Sequence, residues 1–161
     1  MPSRTVSPEL QAISDRAYMY VFGIDRAYRH LYETMVEPGY PANRFQIIRH
    51  LADDKYTAHP TINNDTLHLM GWLDVAAEPV IVSVPDHDDG RYWLLHTMDM
   101  GHYTTSLFGK RTRGPRGGRF MFANRAWEGE VPDGATEVVR VESNFLKLMG
   151  RVMATGVEDV A

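Results

Sequence analysis

Cysteine is absent from this 161-residue chain. That excludes disulfides, thiolate nucleophiles and Cys-ligated zinc. No stretch approaches the ~20 consecutive apolar residues of a membrane span, and the N-terminal "MPSRTVSPELQ" lacks an apolar core of signal-peptide length. There is no basic excess either. Lys and Arg number 17 against 21 Asp and Glu, a net charge of −4, so neither nucleic acid nor an anionic membrane is an expected partner. Internal repeats and low-complexity tracts are missing, as are G-x-S-x-G, H-E-x-x-H and G-x-x-x-x-G-K-[ST]. A cytoplasmic protein is the expectation. What is present is ordinary for one globular domain: 43% hydrophobic and 24% charged residues.

The first segment reads as a helix. Leu10, Ile13, Ala17, Tyr20, Ile24, Ala27, Leu31 and Met35 recur at alternating spacings of three and four, forming one stripe. Ser7 suits the N-cap, Pro8 the first helical position and Glu9 the positive end of the dipole. Pro38-Gly39 ends the helix. Gly23 weakens its middle by about 1 kcal/mol relative to alanine and marks a close contact or a break. Tyr28 and Tyr32 on the flank imply packing against a sheet or a partner. "RFQIIRHL" (44–51) is a helical turn or a strand, and "ADDK" a turn.

From residue 62 the texture changes. "LHLMGWLDV", "PVIVSV", "RYWLLHTM", "YTTSLFG", "RFMFAN" and "TEVVRV" are separated by turn signals such as "PDHDDG", "KRTRGPRGG" and "PDGA". Short strands at this spacing predict an antiparallel sandwich or barrel rather than βαβ units. The last segment, "SNFLKLMGRVMATG", fits a helix through Phe145, Leu148, Met149 and Val152, or a strand with Phe145, Lys147, Met149 and Arg151 on one face. The expected layout is one compact domain, a helical segment over 1–56 packed on a β-sandwich over 57–161.

Three clusters carry chemistry. Asn63-Asn64-Asp65-Thr66 is a turn opening a strand, because Asn and Asp side chains bond nearby backbone. The same groups could hold a polar ligand or a hard cation. In "HTMDMGH", His96, Asp99 and His102 are three apart. On a strand His96 and Asp99 face opposite ways, so a metal site there needs a bend. His50, His59 and His68 are the other imidazoles considered, and no metal or other cofactor is expected. "GKRTRGPRGGR" gathers Lys110, Arg111, Arg113, Arg116 and Arg119. It is a solvated hairpin loop or an anion cradle. The tryptophans read as packing and the methionines near 98, 100, 149 and 153 as gap fillers.

Taken in order, "NNDTLHLMGWLDVAAEPVIVSVPD", "GRYW", Met98-Asp99, "FGKRTRG", "WEGEVPDG" and "GRVMATGVED" resemble the domain-of-unknown-function 1254 family over roughly residues 18 to 160. The resemblance implies a mainly-β α+β fold, an N-terminal helix or helices followed by an immunoglobulin-like antiparallel β-sandwich, and the strand reading of the last segment. It also implies a following 1214-type domain in many members; here the sequence stops shortly after Glu158-Asp159. Asn64, Asp65, Thr66, Asp99, Arg111 and Arg151 match the family's recurrent polar positions, and His50 matches loosely. Arg113 stands where a smaller polar residue is expected.

Three functional readings follow. The first is binding of a small polar or anionic ligand by Asn64, Asp65, Thr66, Arg111 and Arg151, since guanidinium grips carboxylate or phosphate with two bonds. The second is a structural role, pairing with another copy or a separate 1214-type chain. The third is acid–base catalysis by Asp65 or Asp99 with His50.

Overall fold

The computed structural model describes residues 6–57, 63–87 and 89–160; His59 and Thr61 lie outside them. Helix α1 runs Pro8–Leu31. Ser7 Oγ accepts the Leu10 amide at 3.2 Å, and Pro8 takes the first helical position. Arg29 and His30 in the last turn complement the negative end of the dipole. The helix continues as a π-helical turn, Tyr32–Val36, and stops before Gly39, at φ 72°.

Eight strands follow among the described residues: β1 (Gln46–Ile48), β2 (Thr66–Asp74), β3 (Val80–Val84), β4 (Trp93–Met98), β5 (Thr104–Gly109), β6 (Gly118–Asn124), β7 (Glu137–Val141) and β8 (Phe145–Met153). A four-residue helix α2, Lys110–Arg113, joins β5 toward β6. The sheets are five-stranded, β1-β2-β8-β4-β5, and three-stranded, β3-β6-β7. The fold is therefore α+β and mainly β, as expected. All pairs are antiparallel except β6 with β7, which run parallel. The ambiguous segments resolve as strands: 46–48 is a short edge strand inside the stretch expected to be helical, and 145–153 is the centre of the large sheet.

One core joins the sheets. Leu73, Leu95, Phe108, Leu146 and Leu148 from the large sheet meet Val82, Phe120, Phe122, Val139 and Val141 from the small one. Alternation along β8 explains which side chains enter. Leu146 and Leu148 are fully buried, so Lys147, Met149 and Arg151 stand on the opposite, outer face.

Helix α1 crosses that outer face only with its C-terminal third. Gly23 comes near the Gly101 carbonyl, Ala27 and Leu31 are buried, and Thr34 Oγ1 accepts the Trp72 indole N–H at 3.1 Å. Gly23 thus marks a close approach and not a break. The N-terminal part of the apolar stripe lies in solvent: Leu10, Ile13, Tyr20 and Ile24 are all exposed, Tyr20 at 83%. No helix among the described residues is long and apolar enough to cross a membrane.

Candidate functional site

The Asn63–Thr66 corner is built as a turn. Thr66 Oγ1 donates to Asn63 Oδ1 at 2.7 Å, and the Asp65 carbonyl accepts the Ala154 amide at 2.9 Å. Thr66 is buried, while Asn64 and Asp65 are exposed. Register puts this corner at the Met153 end of β8, because Thr66 opposes Met153. Arg151 lies at the same end, opposite His68 and Leu94. Arg111 follows Gly109, which opposes Leu94, so it too belongs to this end. From β2 to β5 is three strand spacings, about 14 Å. One sheet end gathers the five residues proposed for ligand binding, in a row rather than a cup. Arg111 is exposed and lines a cleft of about 180 Å³ with Tyr92, Trp93, Leu94 and Leu107; Asn64, Asp65 and Thr66 do not line it.

A clasp unread in the sequence closes this end. Arg91 Nη2 donates to Asp159 Oδ1 at 3.1 Å and Nη1 to the Met153 carbonyl at 3.4 Å; Asp89 is its other partner. The Asp159 carboxyl is held below its ordinary range by the Thr155 amide and then by Arg91. The signal was in the motifs "GRYW" and "GVED", whose Arg and Asp are this pair.

Asp99 sits at the other end. It accepts the Gly101 and Tyr103 amides at 2.8 and 2.9 Å and so shapes the β4–β5 turn, where His102 adopts φ 66°. Asp65 and Asp99 flank opposite ends of β8, Met153 and Lys147, about 20 Å apart along the strand. His50 is exposed just past β1. None of the three hydrogen-bonds another among the described residues. His96 Nε2 and Thr104 Oγ1 are 2.9 Å apart. No group of three or more His, Asp or Glu in metal-binding arrangement occurs among the described residues.

A different cluster lies on the outer face. Lys147 and Arg151 alternate along β8, and His96 is on the neighbouring strand opposite Met149, between them. His96 is pushed below its usual value by burial, then by the charges of Arg151 and Lys147. Burial also lowers Lys147. Arg151 Nε is buried without a hydrogen-bond partner, and neither cation has an ion pair among the described residues. Alternation within "FLKLMGR" could have put Lys147 and Arg151 on one face. His96 joins them only through the β4–β8 pairing.

The architecture is that of a helix-fronted, two-sheet β domain with a cationic outer sheet face. The family model for a protein of unknown function, DUF1254, matches residues 42–161, and the chain belongs to that family. It is 63% identical to the VPA0106 protein of Vibrio parahaemolyticus, whose crystal structure superposes with a TM-score of 0.77 over 89% of this chain and 33% of that one. An uncharacterised protein from Burkholderia cenocepacia is 14% identical, with a TM-score of 0.47, 95% of this chain covered and 40% of that one. This chain thus spans about a third of the length of its Vibrio relative. No curated protein matches it.

Proposed function

We propose that the domain is an assembly module whose helix α1 packs on a second folded unit. The carrying observation is the exposure of α1. Leu10, Ile13, Tyr18, Met19, Tyr20, Val21, Phe22, Ile24 and Tyr28 are all at least 44% exposed, while the helix buries only Ala27 and Leu31. An exposed apolar surface of this kind marks an interaction site. About two thirds of the Vibrio relative's length lies outside the match, room in which such a unit can reside, and a 1214-type domain is the partner the family resemblance suggests. Co-expression with a 1214-type domain should give a stable complex. Ile13→Glu with Tyr20→Glu, two positions on one helix face, should abolish it and leave the unfolding midpoint of the isolated chain unchanged. Light scattering separates self-assembly: a dimer lost in the same variant would make the partner a second copy. A monomer at all concentrations that also fails to capture the 1214-type domain would end the reading.

The unpaired cations favour a second reading, recognition of an anionic group on the outer sheet face. A buried guanidinium N–H without an acceptor is an unmet demand, which a carboxylate or phosphate oxygen supplies. Arg151 is its centre, with His96 and Lys147 beside it; Arg111, in the exposed cleft, is a lesser contributor. Titration with succinate or inorganic phosphate should shift the Arg151 Nε–H resonance saturably. Arg151→Met should weaken binding about tenfold or more, equivalent to ~1.4 kcal/mol, and Arg111→Met by much less. The reverse order would move the site to Arg111.

A further inference from the structure

Between the two sheets, away from the cationic face, lies a cavity of about 230 Å³. Its walls are Leu69, Trp93 and Leu95 from the large sheet and Val82 and Val84 from the small one, with Gly150 among the lining residues. Trp93, Leu95 and Val82 are each no more than 5% exposed. Arg151 and Leu94 border it as neighbours of these residues, but alternation directs their side chains to the outer face. Arg151, the one Lys or Arg in the lining, therefore turns its charge toward the other side of the sheet.

Two details keep it open. A Cβ at Gly150 would come within 3.0 Å of Leu69 Cδ1, so any larger residue there would crowd the wall. The polar end of Trp93 is turned to other work: its indole N–H donates to the Gly114 carbonyl at 3.0 Å. His87, whose ring centroid is 5.5 Å from that of Trp93, is the one imidazole in the lining. Phe45, 40% exposed, lines it from the segment before β1 and offers a side chain that can cover an entrance.

Its mostly apolar walls offer ordered water few partners, and an apolar cavity of about 150 Å³ takes benzene in preference to water. We propose that the inter-sheet cavity of this domain binds a small, uncharged, largely hydrocarbon molecule, of the size of a substituted benzene ring. Burial of the ring itself between Trp93 and the valines draws on the hydrophobic effect, and His87 adds one hydrogen bond to a hydroxyl or carbonyl substituent.

The experiment uses toluene, benzyl alcohol and benzoate as probes of the intact chain. Toluene should give saturable shifts of the Trp93 indole N–H and intermolecular NOEs to the methyls of Leu69, Val82 and Leu95. Benzyl alcohol should saturate at lower concentration than toluene, and benzoate should give no shifts there, since no charge faces the cavity to replace its hydration. Val84→Phe, which fills the space, should remove the toluene response. Absence of saturable NOEs in the parent protein overturns the proposal whether or not the filled variant folds. So does a benzoate response at the same residues without one from toluene.

Discussion

Phe120→Ala should cost about 3–5 kcal/mol, the range for truncating a buried aromatic ring. Phe120 is fully buried, and its ring stacks on that of Phe108 at 3.9 Å between centroids and 10° between planes. Phe108 belongs to β5 of the large sheet and Phe120 to β6 of the small one, so this contact ties the two sheets together. The guanidinium of Arg113 lies 5.2 and 5.1 Å from the two ring centroids and is paired with Glu137 on β7. It covers the stack with charge that stays partly hydrated, a role for a long cation where the family pattern led us to expect a smaller polar residue. Arg113→Ala should cost only about 0.5–1 kcal/mol. Urea unfolding with an unchanged slope would measure both. A Phe120→Ala loss below that of Arg113→Ala would mean the sheets are not joined at this stack.

Much of this architecture was legible before any coordinates. Ser7, Pro8 and the Pro38-Gly39 stop bound α1 because capping is local chemistry. Each of the six short apolar runs became a strand, since their length and flanking turns left little room for a helix. The last segment was undecided because Phe145, Leu148, Met149 and Val152 satisfy a helical period, while Leu146 and Leu148 alternate with Lys147 and Met149 at a strand period. Burial of Leu146 and Leu148 with Lys147 outside decides it. Sheet order was out of reach. Nothing local says that β8 lies between β2 and β4, or that β7 runs parallel to β6, because such pairings are set by packing across the whole chain.

The site was legible to a lesser degree, for the same reason. Asn63-Asn64-Asp65-Thr66 makes the turn its residue types favour. Its placement at the same sheet end as Arg151 and Arg111 depends on register. The stripe on α1 was correct as a pattern, but a 3.6-residue period states which face is apolar and not what covers it. Ala27 and Leu31 are buried where the helix nears the outer sheet face, whereas Leu10, Ile13, Tyr20 and Ile24 on the same stripe stay exposed among the described residues. The cationic face and the exposed helix adjoin: His30 at the end of α1 and Thr34 in the turn after it meet that face at Trp72, next to Lys147 across the β2–β8 pair. A partner carrying apolar side chains toward α1 and a carboxylate toward Arg151 would satisfy both demands with one surface. That makes the two functional readings separable by variant: Ile13→Glu with Tyr20→Glu acts on the first, Arg151→Met on the second.

Gly117→Ala should be nearly as damaging as the loss of Phe120, about 3 kcal/mol or more, and for a steric reason. A Cβ at residue 117 would stand 2.0 Å from the Val84 carbonyl oxygen and 2.3 Å from that of Pro85. Both obstacles are backbone, so no side-chain rotation can relieve them. The Gly117 amide donates to Asp86 Oδ1 at 2.8 Å, Arg116 Nη1 donates to Asp86 Oδ2 at 3.0 Å, and Gly118 opposes Val84 where β3 and β6 meet. Forcing the strand ends apart would break this carboxylate-held turn and the last rung of the ladder together. Gly90→Ala is the control. Gly90 has φ 68° but open space around its Cβ position, so the only cost is the left-handed backbone, roughly 1–2 kcal/mol. Because Val84 and Pro85 also line the inter-sheet cavity, a Gly117→Ala protein rescued by low temperature should still lose its toluene response, whereas Gly90→Ala should keep it. Equal stability losses in the two variants would show that the β3–β6 junction yields more easily than its backbone contacts imply.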